Sequence, residues 1–335
     1  MTTGLPAETA VAAPLLDIGR ACPQLTRFGD GITAVDSEYV RPHFDAVHII
    51  RGASSAAIID TGTNTSVPYV LAAIDALDLS REAVEFVFLT HVHLDHAGGA
   101  GALARALPRA RMLLHPRGAP HMIDPARLIA ASIDVYGEEP YRRMYGELLP
   151  IDAARVDVTT DGQQLQFDGR NFEIAHTPGH ALHHQVLVDL DGRHVFTGDT
   201  FGLSYREFDV DGRALALPTT TPTQFDPQQL QASIRRILGY APVDAYLTHY
   251  ARVTDLPRLG DSLQRLIGDY VDIARRFATD DDRRERIREA LAALLLQEAR
   301  MHGCTHGDAV TLELLRADID LNADGLIAWL DRARR

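Results

Sequence analysis

Residues 84–99, VEFVFLTHVHLDHAGG, place three histidines and an aspartate directly after an apolar run. The run is typical of a buried β-strand, and the Gly/Ala-rich segment that follows has helical character. The turn after a buried strand is where α/β proteins place their binding sites. This one stretch therefore favours an α/β fold that gathers imidazole and carboxylate groups at one edge of a sheet.

Further histidines and aspartates follow later strand-like runs and extend this cluster. His180 comes after FEIAHTPG, Asp199 after HVFTG and His249 after AYLT. Neutral imidazole is the commonest metal ligand in proteins, and carboxylates bind the same divalent ions. The sequence therefore predicts a metal centre built from seven residues: His91, His93, Asp95, His96, His180, Asp199 and His249.

Seven ligands are enough for two divalent ions that share one carboxylate. The first ion would take the three histidines His91, His93 and His180. The second would take Asp95, His96 and His249, and Asp199 would bridge the two ions. Three histidine ligands leave a coordination position open for water, which is typical of a catalytic site rather than a structural one.

The order of strand-like and helical patterns predicts the architecture. Residues 1–28 lack a regular pattern, whereas residues 29–255 contain strands and helices in two successive halves. Two such halves favour an α/β fold, a two-sheet sandwich flanked by helices, with residues 29–255 as the catalytic domain. Residues 256–335 are almost wholly helical and are expected to form a C-terminal extension, which either packs back on the sandwich or forms a homodimer interface.

A helical insertion interrupts the alternation at residues 116–150, close in sequence to the candidate ligands. It is expected to form the wall or lid of a substrate pocket, because sites collect on loops above rigid scaffolds. The alternative is a helical hairpin whose tyrosines pack against the core. The candidate pocket residues are Tyr136, Tyr141, Arg142, Tyr145 and, outside the insertion, Tyr250.

Composition excludes several classes of protein. All 33 basic residues are arginine, and a chain without lysine has neither a Schiff-base lysine nor the lysine of a P-loop. The net charge of −13 provides no basic surface for nucleic acid.

The sequence also indicates where the protein works. No apolar stretch is long enough to predict a membrane span, and the first residues do not resemble a secretory signal. Cys22 and Cys304 are far apart in sequence and resemble neither a disulfide framework nor a thiolate metal site. We therefore expect a reducing compartment and a cytoplasmic location, with no membrane partner.

The motifs HVHLDH, HTPGH, TGD and THY, in this order, resemble those of the metallo-β-lactamase superfamily over about residues 30–255. The resemblance implies an αββα sandwich with a dinuclear metal site at one edge. It also implies that Asp60, in IIDTG, orients the ligands of the first ion and that His184 lies beside the site. The stretch HPRGAPHMIDP, with its helical insertion, is similar to an uncharacterised branch of the superfamily related to oxygen-binding di-iron proteins.

Several branches of that superfamily differ from this chain. The flavo-di-iron branch has Glu where this chain has His93, and the persulfide dioxygenases bind a single iron without a ligand that matches Asp95. The common β-lactamases carry a secretory signal. The lactonases are more similar in their motifs, and Tyr205, in TFGLSY, is the candidate for their catalytic tyrosine.

These features predict a dinuclear metal-dependent hydrolase. Zn²⁺ is the expected ion and iron is the alternative. A metal-bridging water of lowered pKa would supply hydroxide to attack a small ester, lactone or thioester. Asp95 and Asp199 would offset the cationic charge and accept the proton of the nucleophile. Tyr205, Tyr250 or an arginine of the insertion would stabilise the oxyanion.

Two other functions are compatible with the same residues. A di-iron centre would bind or reduce oxygen, and it would need an external electron donor because the sequence has neither a C-x-x-C pair nor a flavodoxin pattern. A non-catalytic protein would bind a small molecule in the pocket, although such a protein has no evident need of an open dinuclear site. In all three cases the partner is a small molecule.

The remaining histidines are expected to pack in the core or to face solvent. His43, His48, His115, His121, His302 and His306 have no companion ligands at useful spacing. His176 lies in the same loop as His180, and we expect His180 rather than His176 to be the metal ligand. The sequence assigns no role to His183.

Overall fold

The computed structural model of the chain describes residues 22–220 and 224–334, apart from the side chain of Tyr136. Within these residues the strands form two sheets. The first sheet contains, in spatial order, β1 (Leu25–Arg27), β2 (Ile32–Asp36), β3 (Ala46–Arg51), β4 (Ala56–Ile59), β5 (Val84–Phe88), β6 (Arg111–Leu114) and β7 (Val156–Val158). The second contains β8 (Gln163–Phe167), β9 (Arg170–His176), β10 (Gln185–Asp189), β11 (His194–Gly198), β12 (Asp244–Leu247) and β13 (Ala251–Val253).

The described helices cover both sheets and extend beyond them. They are α1 (Val67–Ala76), α2 (Leu94–Ala97), α3 (Ala100–Ala106), α4 (Ala119–Ile123), α5 (Ala126–Tyr136), α6 (Glu138–Tyr145), α7 (Pro227–Gly239), α8 (Leu256–Arg276), α9 (Arg283–His302) and α10 (Asp308–Ala333). Strand β1 lies inside the 1–28 segment for which the sequence predicts no regular element, and residues 1–21 of that segment lie outside the described residues. Three residues are too short for a periodic pattern to be recognised.

Parallel pairing explains why the candidate ligands share one edge. Strands β4, β5, β6 and β7 are parallel neighbours, as are β11 and β12, whereas the other neighbouring pairs are antiparallel. Parallel neighbours need crossover connections, and α1, α3 and α7 lie in the connections that follow β4, β5 and β11. The carboxyl ends of such strands meet at one edge, which brings together the segments that follow them.

The two sheets pack face to face through a core of aromatic and aliphatic side chains. Ile50, Phe88 and Phe172 are fully buried there. The rings of Phe196 and Tyr246 stack with their centroids 5.1 Å apart. Burying one side chain of this size stabilises the fold by about 1.5–3 kcal/mol. Most residues of β3 and β5 are buried because both faces of these strands are covered.

Helices cover the outer faces of the sandwich. Val70 and Ile74 of α1 pack in one cluster with Val87 of β5, and Ile234 of α7 and Leu263 of α8 pack in another with strands of the second sheet. These layers confirm the prediction of an αββα sandwich.

The C-terminal extension begins at Leu256 with α8 and packs back on the second sheet. Leu291 of α9 and Leu315 of α10 belong to the same buried cluster as Val186 of β10. Arginines of α9 pair with aspartates of α10, including Arg283 with Asp331 at 2.8 Å and Arg284 with Asp324 at 2.6 Å. The predicted helical extension is therefore confirmed. None of the described helices combines the length and apolar character needed to cross a bilayer.

The insertion contains α4, α5 and α6. Tyr141 and Tyr145 of α6 are buried, whereas no described side chain of α5 is buried. The ring of Tyr145 stacks on that of Tyr39 at 5.9 Å, so the insertion contacts the loop between β2 and β3. Arg142 is exposed and pairs with Glu138 at 2.9 Å. These contacts fit the packed hairpin better than a free lid.

Candidate metal centre

The structure brings the seven predicted ligand residues into two adjacent groups. The first group contains His91, His93, His180 and Asp199, and the second contains Asp95, His96 and His249. Within each group, one ligand atom per residue lies within 4.8 Å of the others. Each residue comes from a segment that follows a strand: β5, β9, β11 or β12.

The short helix α2 divides the first motif between the two groups. His93 is its N-cap residue with extended backbone angles, and its carbonyl accepts hydrogen bonds from the amides of His96 and Ala97 at 3.1 and 2.8 Å. His91 and His93 precede the helix, whereas Asp95 and His96 lie within it. The change from extended to helical backbone therefore directs the two pairs to different groups.

Ring nitrogens converge at the first group. His91 Nε2 lies 2.8 Å from His93 Nδ1, and His180 Nε2 lies 3.1 Å from the same atom. Asp199 Oδ2 lies 3.2 Å from His180 Nε2. Three nitrogens and one carboxylate oxygen are a donor set that suits Zn²⁺ and related divalent ions.

The Asp199 carboxylate reaches both groups. Its Oδ1 lies 3.2 Å from His96 Nε2 in the second group, while its Oδ2 faces His180 in the first. His249 Nε2 lies 3.5 Å from Asp95 Oδ2 and 3.7 Å from Asp199 Oδ1. This geometry is compatible with the predicted bridging role of Asp199.

Two buried atoms where the groups meet lack a well-formed hydrogen bond among the described residues. They are His96 Nε2 and Asp199 Oδ1. Buried polar atoms without partners are costly in an apolar interior and commonly indicate an ion or water. The residues therefore fit a divalent cation at this position.

Burial keeps the imidazoles of the first group neutral. Burial first and neighbouring imidazoles second lower the pKa of His91 well below its ordinary value and that of His93 to about 3. Burial likewise lowers the pKa of His180. Neutral imidazole is the form that binds metal.

Carboxylates have the opposite effect in the second group. Burial alone would lower the pKa of His249, but Asp199 and Asp95 outweigh it and raise that pKa to about 10. Burial alone would also lower the pKa of His96, but the neighbouring carboxylates, Asp199 foremost, raise it well above its ordinary value. Burial would raise the pKa of Asp199, but His96 and the other imidazoles hold it well below its usual range. The site therefore concentrates negative charge that a cation can neutralise.

Asp60 connects two of the segments that carry the ligands, those that follow β5 and β12. Its backbone has a φ of +59°, and its carboxylate accepts hydrogen bonds from Thr90 Oγ1 at 2.8 Å, Thr248 Oγ1 at 2.9 Å and His96 Nδ1 at 2.9 Å. The resemblance implied that Asp60 orients the ligands of the first ion, whereas its direct contact is with His96 of the second group. Its link to His91 runs through Thr90, whose Oγ1 lies 3.2 Å from His91 Nδ1.

His184 supports the backbone of Asp199. Its Nε2 accepts a hydrogen bond from the Asp199 amide at 3.1 Å, and its Nδ1 lies 2.9 Å from Thr177 Oγ1. The adjacent Gly198 has a φ of +48°, and a Cβ there would lie 2.6 Å from Thr90 Oγ1 and 2.8 Å from His184 Nε2. Glycine is therefore required for the close approach of these loops.

Tyr205, the predicted oxyanion donor, has its hydroxyl bonded to the C-terminal extension. It is 1% exposed, and its hydroxyl donates to the two carboxylate oxygens of Asp318 in α10 at 3.1 and 3.2 Å. The hydroxyl is therefore engaged by the C-terminal extension. Helical and loop patterns carry no sign of this contact, because the two residues are 113 positions apart.

The other candidate pocket residues have structural contacts. Tyr250 is 4% exposed, and its ring lies 4.9 Å from that of His43. Tyr141 and Tyr145 contact each other at 5.8 Å, and the side chain of Tyr136 lies outside the described residues.

Several residues that the sequence did not predict contribute to the site. Thr90 and Thr248 donate hydrogen bonds to Asp60. The backbone carbonyl of Phe44 accepts a hydrogen bond from His249, and that of Thr219 accepts one from His180. The ring of His183, whose role was open, lies 5.6 Å from that of His93. One signal was available, since a threonine precedes the first histidine in both THVHLDH and THY.

The family model for the metallo-beta-lactamase superfamily matches residues 41–249. The chain belongs to this superfamily. The match includes the whole set of candidate ligands, so the resemblance seen in the motifs is confirmed.

Three curated relatives illustrate the similarity of this superfamily member to others. It is 26% identical to metallo-beta-lactamase fold-containing protein ST1585 of Sulfurisphaera tokodaii, over 60% of this chain and 70% of that protein. It is 27% identical to hydroxyacylglutathione hydrolase GloC of Haemophilus influenzae, over 43% of this chain and 60% of the relative. It is 26% identical to atrochrysone carboxyl ACP thioesterase of Claviceps purpurea, over 52% of this chain and 41% of the relative. The chain thus spans less than two thirds of the length of the last two.

The solved structure of ST1585 has the same fold. It matches with a TM-score of 0.61 and 21% identity, over 88% of this chain and 98% of that one. At this identity the match establishes the architecture and leaves the substrate open.

Proposed function

We propose that this superfamily member is a two-ion, zinc-dependent hydrolase of a small thioester, ester or lactone. The observation that carries the proposal is the position of Asp199, with one carboxylate oxygen facing each group of candidate ligands. A carboxylate placed between two groups of ligands can bind two ions a few ångströms apart, one through each oxygen.

The donor set supports the choice of ion and the number of ions. The first ion would be held by His91, His93, His180 and Asp199, and the second by Asp95, His96, His249 and Asp199. When bound, two divalent ions supply a water of lowered pKa and a Lewis acid for the substrate carbonyl. Each group contains nitrogen donors together with carboxylate, which favours Zn²⁺ over ions that prefer oxygen alone.

The two carboxylates would have different tasks. The Asp199 side chain is 5% exposed and lies between the groups, whereas that of Asp95 is 23% exposed. We assign to Asp95, the more accessible carboxylate, the proton of the attacking water. Asp199 would keep the two groups together and balance their charge.

The relatives support acyl substrates. One is named for the hydrolysis of hydroxyacylglutathione and another as a thioesterase of an acyl carrier protein. We therefore place thioesters first among the substrates to test, with esters and lactones after them.

The test combines metal analysis with a substrate panel. Zinc and iron per chain are measured by mass spectrometry in protein purified without added metal, and hydrolysis of thioesters, esters and lactones is then assayed. About two zinc ions and activity that Asp199→Ala abolishes support the proposal, with Asp324→Ala, which removes only the ion pair with Arg284, as a matched control. Two irons with oxygen reduction, or less than one ion per chain after reconstitution, would overturn it.

A further inference from the structure

Two candidate ligand histidines donate hydrogen bonds to backbone carbonyls. His180 Nδ1 lies 3.3 Å from the carbonyl oxygen of Thr219, and His249 Nδ1 lies 3.0 Å from that of Phe44. A carbonyl only accepts, so each Nδ1 carries a proton and each Nε2 is the nitrogen that faces its ligand group. Partners of this kind orient ligand imidazoles and raise metal affinity.

Asn322 of α10 holds the segment that provides the first carbonyl. The residue is 2% exposed. Its Oδ1 accepts a hydrogen bond from the Thr220 amide at 2.7 Å, and its Nδ2 donates one to the Pro218 carbonyl at 3.3 Å. Pro218 and Thr220 are the two neighbours of Thr219. One side chain of the extension therefore fixes the backbone on both sides of the carbonyl that accepts from His180.

Asp318 of α10 reaches the second carbonyl through two rings. It accepts the hydroxyl of Tyr205. The Tyr205 ring stacks on Phe44 with centroids 5.3 Å apart and planes 22° apart. The Phe44 ring in turn contacts that of His249 edge to face at 5.4 Å. Phe44 thus touches His249 with its ring and accepts from it with its carbonyl.

Asp318 and Asn322 are four residues apart in α10, so their side chains leave the same face of the helix. We propose that this face of the C-terminal extension positions one ligand histidine in each group, His180 through Asn322 and His249 through Asp318. The inference rests on the two-ion centre of the proposed function and assigns to the extension a role in assembling that centre.

The test measures the two zinc dissociation constants of the full chain by competition with a chromophoric chelator. His180→Ala and His249→Ala identify which constant belongs to which group. Asn322→Leu preserves side-chain size and removes both side-chain hydrogen bonds, and Asp318→Ala removes the acceptor of the Tyr205 hydroxyl. Asp318→Asn keeps an acceptor oxygen and is the conservative rescue, while Asp324→Ala on the same helix is the matched control.

We expect a reciprocal pattern. Asn322→Leu should weaken the ion of the first group about tenfold and Asp318→Ala that of the second about tenfold, each changing the other constant less than about threefold. Asp318→Asn and Asp324→Ala should stay close to wild type. Equal weakening of both constants by either variant, or a lower stability with unchanged constants, would overturn the proposal and leave α10 a packing element.

A second measurement does not depend on bound metal. In metal-free protein, the exchange of the His180 and His249 Nδ1 protons with water is followed by NMR. Asn322→Leu should accelerate exchange at His180 alone, and Asp318→Ala at His249 alone. If the wild-type chain binds no pair of ions, the proposed function fails, whereas these exchange rates still decide whether α10 positions the two rings.

Discussion

Asp60 Oδ2 accepts hydrogen bonds from His96 Nδ1 and from Thr248 Oγ1, both at 2.9 Å. Thr248 precedes His249 in the chain, so one buried carboxylate orients a ligand of the second group and holds the segment that carries another. The same carboxylate accepts from the Thr90 amide at 2.8 Å, just before His91. Asp60 is therefore the point at which two ligand-bearing segments meet, the one that follows β5 and the one that follows β12.

Replacing Asp60 by asparagine tests this arrangement. Asparagine tolerates the positive φ but turns one acceptor oxygen into a donor, which then faces groups that also donate. We expect Asp60→Asn to weaken zinc binding by about 10- to 100-fold, and more strongly for the second group than for the first. Chelator competition measures this. Asp75→Asn, on the exposed face of α1, is the control, and equal affinities in the two variants would contradict the prediction.

Gly198→Ala should disturb the centre through sterics. A Cβ at Gly198 would lie 2.6 Å from Thr90 Oγ1, in addition to the strain of a positive φ. Gly212 also has a positive φ, of +74°, but no atom lies within 4 Å of its Cβ position. We expect Gly212→Ala to cost about 1–2 kcal/mol from strain alone, and Gly198→Ala to cost more. Urea unfolding compares them; a similar loss in both variants would show that the close contact is unimportant.

The burial of His48 predicts that the stability of the fold depends on pH. It is 2% exposed, and its ring lies 5.7 Å from that of Phe196. Burial lowers the pKa of His48 to about 3, whereas the unfolded value is about 6.5. As the pH falls below about 6.5 the unfolded chain gains a proton that the folded chain does not, so this contribution to stability decreases down to about pH 3.

His48→Leu should remove this dependence. Between pH 7 and pH 5 the metal-free variant should lose about 2 kcal/mol less free energy of unfolding than the wild type. Urea unfolding at both pH values, with chelator present, measures the difference. Parallel losses in the two proteins would mean that His48 is not held neutral by burial.

Tyr205→Phe distinguishes a structural tyrosine from an oxyanion donor. The hydroxyl donates to Asp318, so in zinc-saturated enzyme we expect kcat on the best substrate to change less than about threefold. Loss of a true oxyanion donor would lower kcat by about 100- to 1,000-fold. Steady-state kinetics at saturating zinc measure kcat for both proteins, and a drop of that size would support the catalytic role of Tyr205.

Much of the fold and of the ligand set was predictable because the signals are local. The strand VEFVF and the motif that follows it lie within 16 residues, and the end of a strand fixes where such side chains emerge. The contacts of Asp60 and Tyr205 were not predictable, since each joins segments distant in sequence. The insertion was also hard to interpret, because tyrosines at helical spacing are compatible with either a pocket wall or a packed hairpin.

The sequence by itself determined the superfamily, the two-sheet sandwich and the residues able to bind metal, because these depend on residue type and spacing along short segments. Tertiary structure alone decided that Asp60 contacts His96, that Tyr205 contacts Asp318, and that the carbonyls of Phe44 and Thr219 accept from ligand histidines. Every residue has a backbone carbonyl, so the sequence carries no mark of which one accepts. That choice depends on how the C-terminal helix packs against the sandwich.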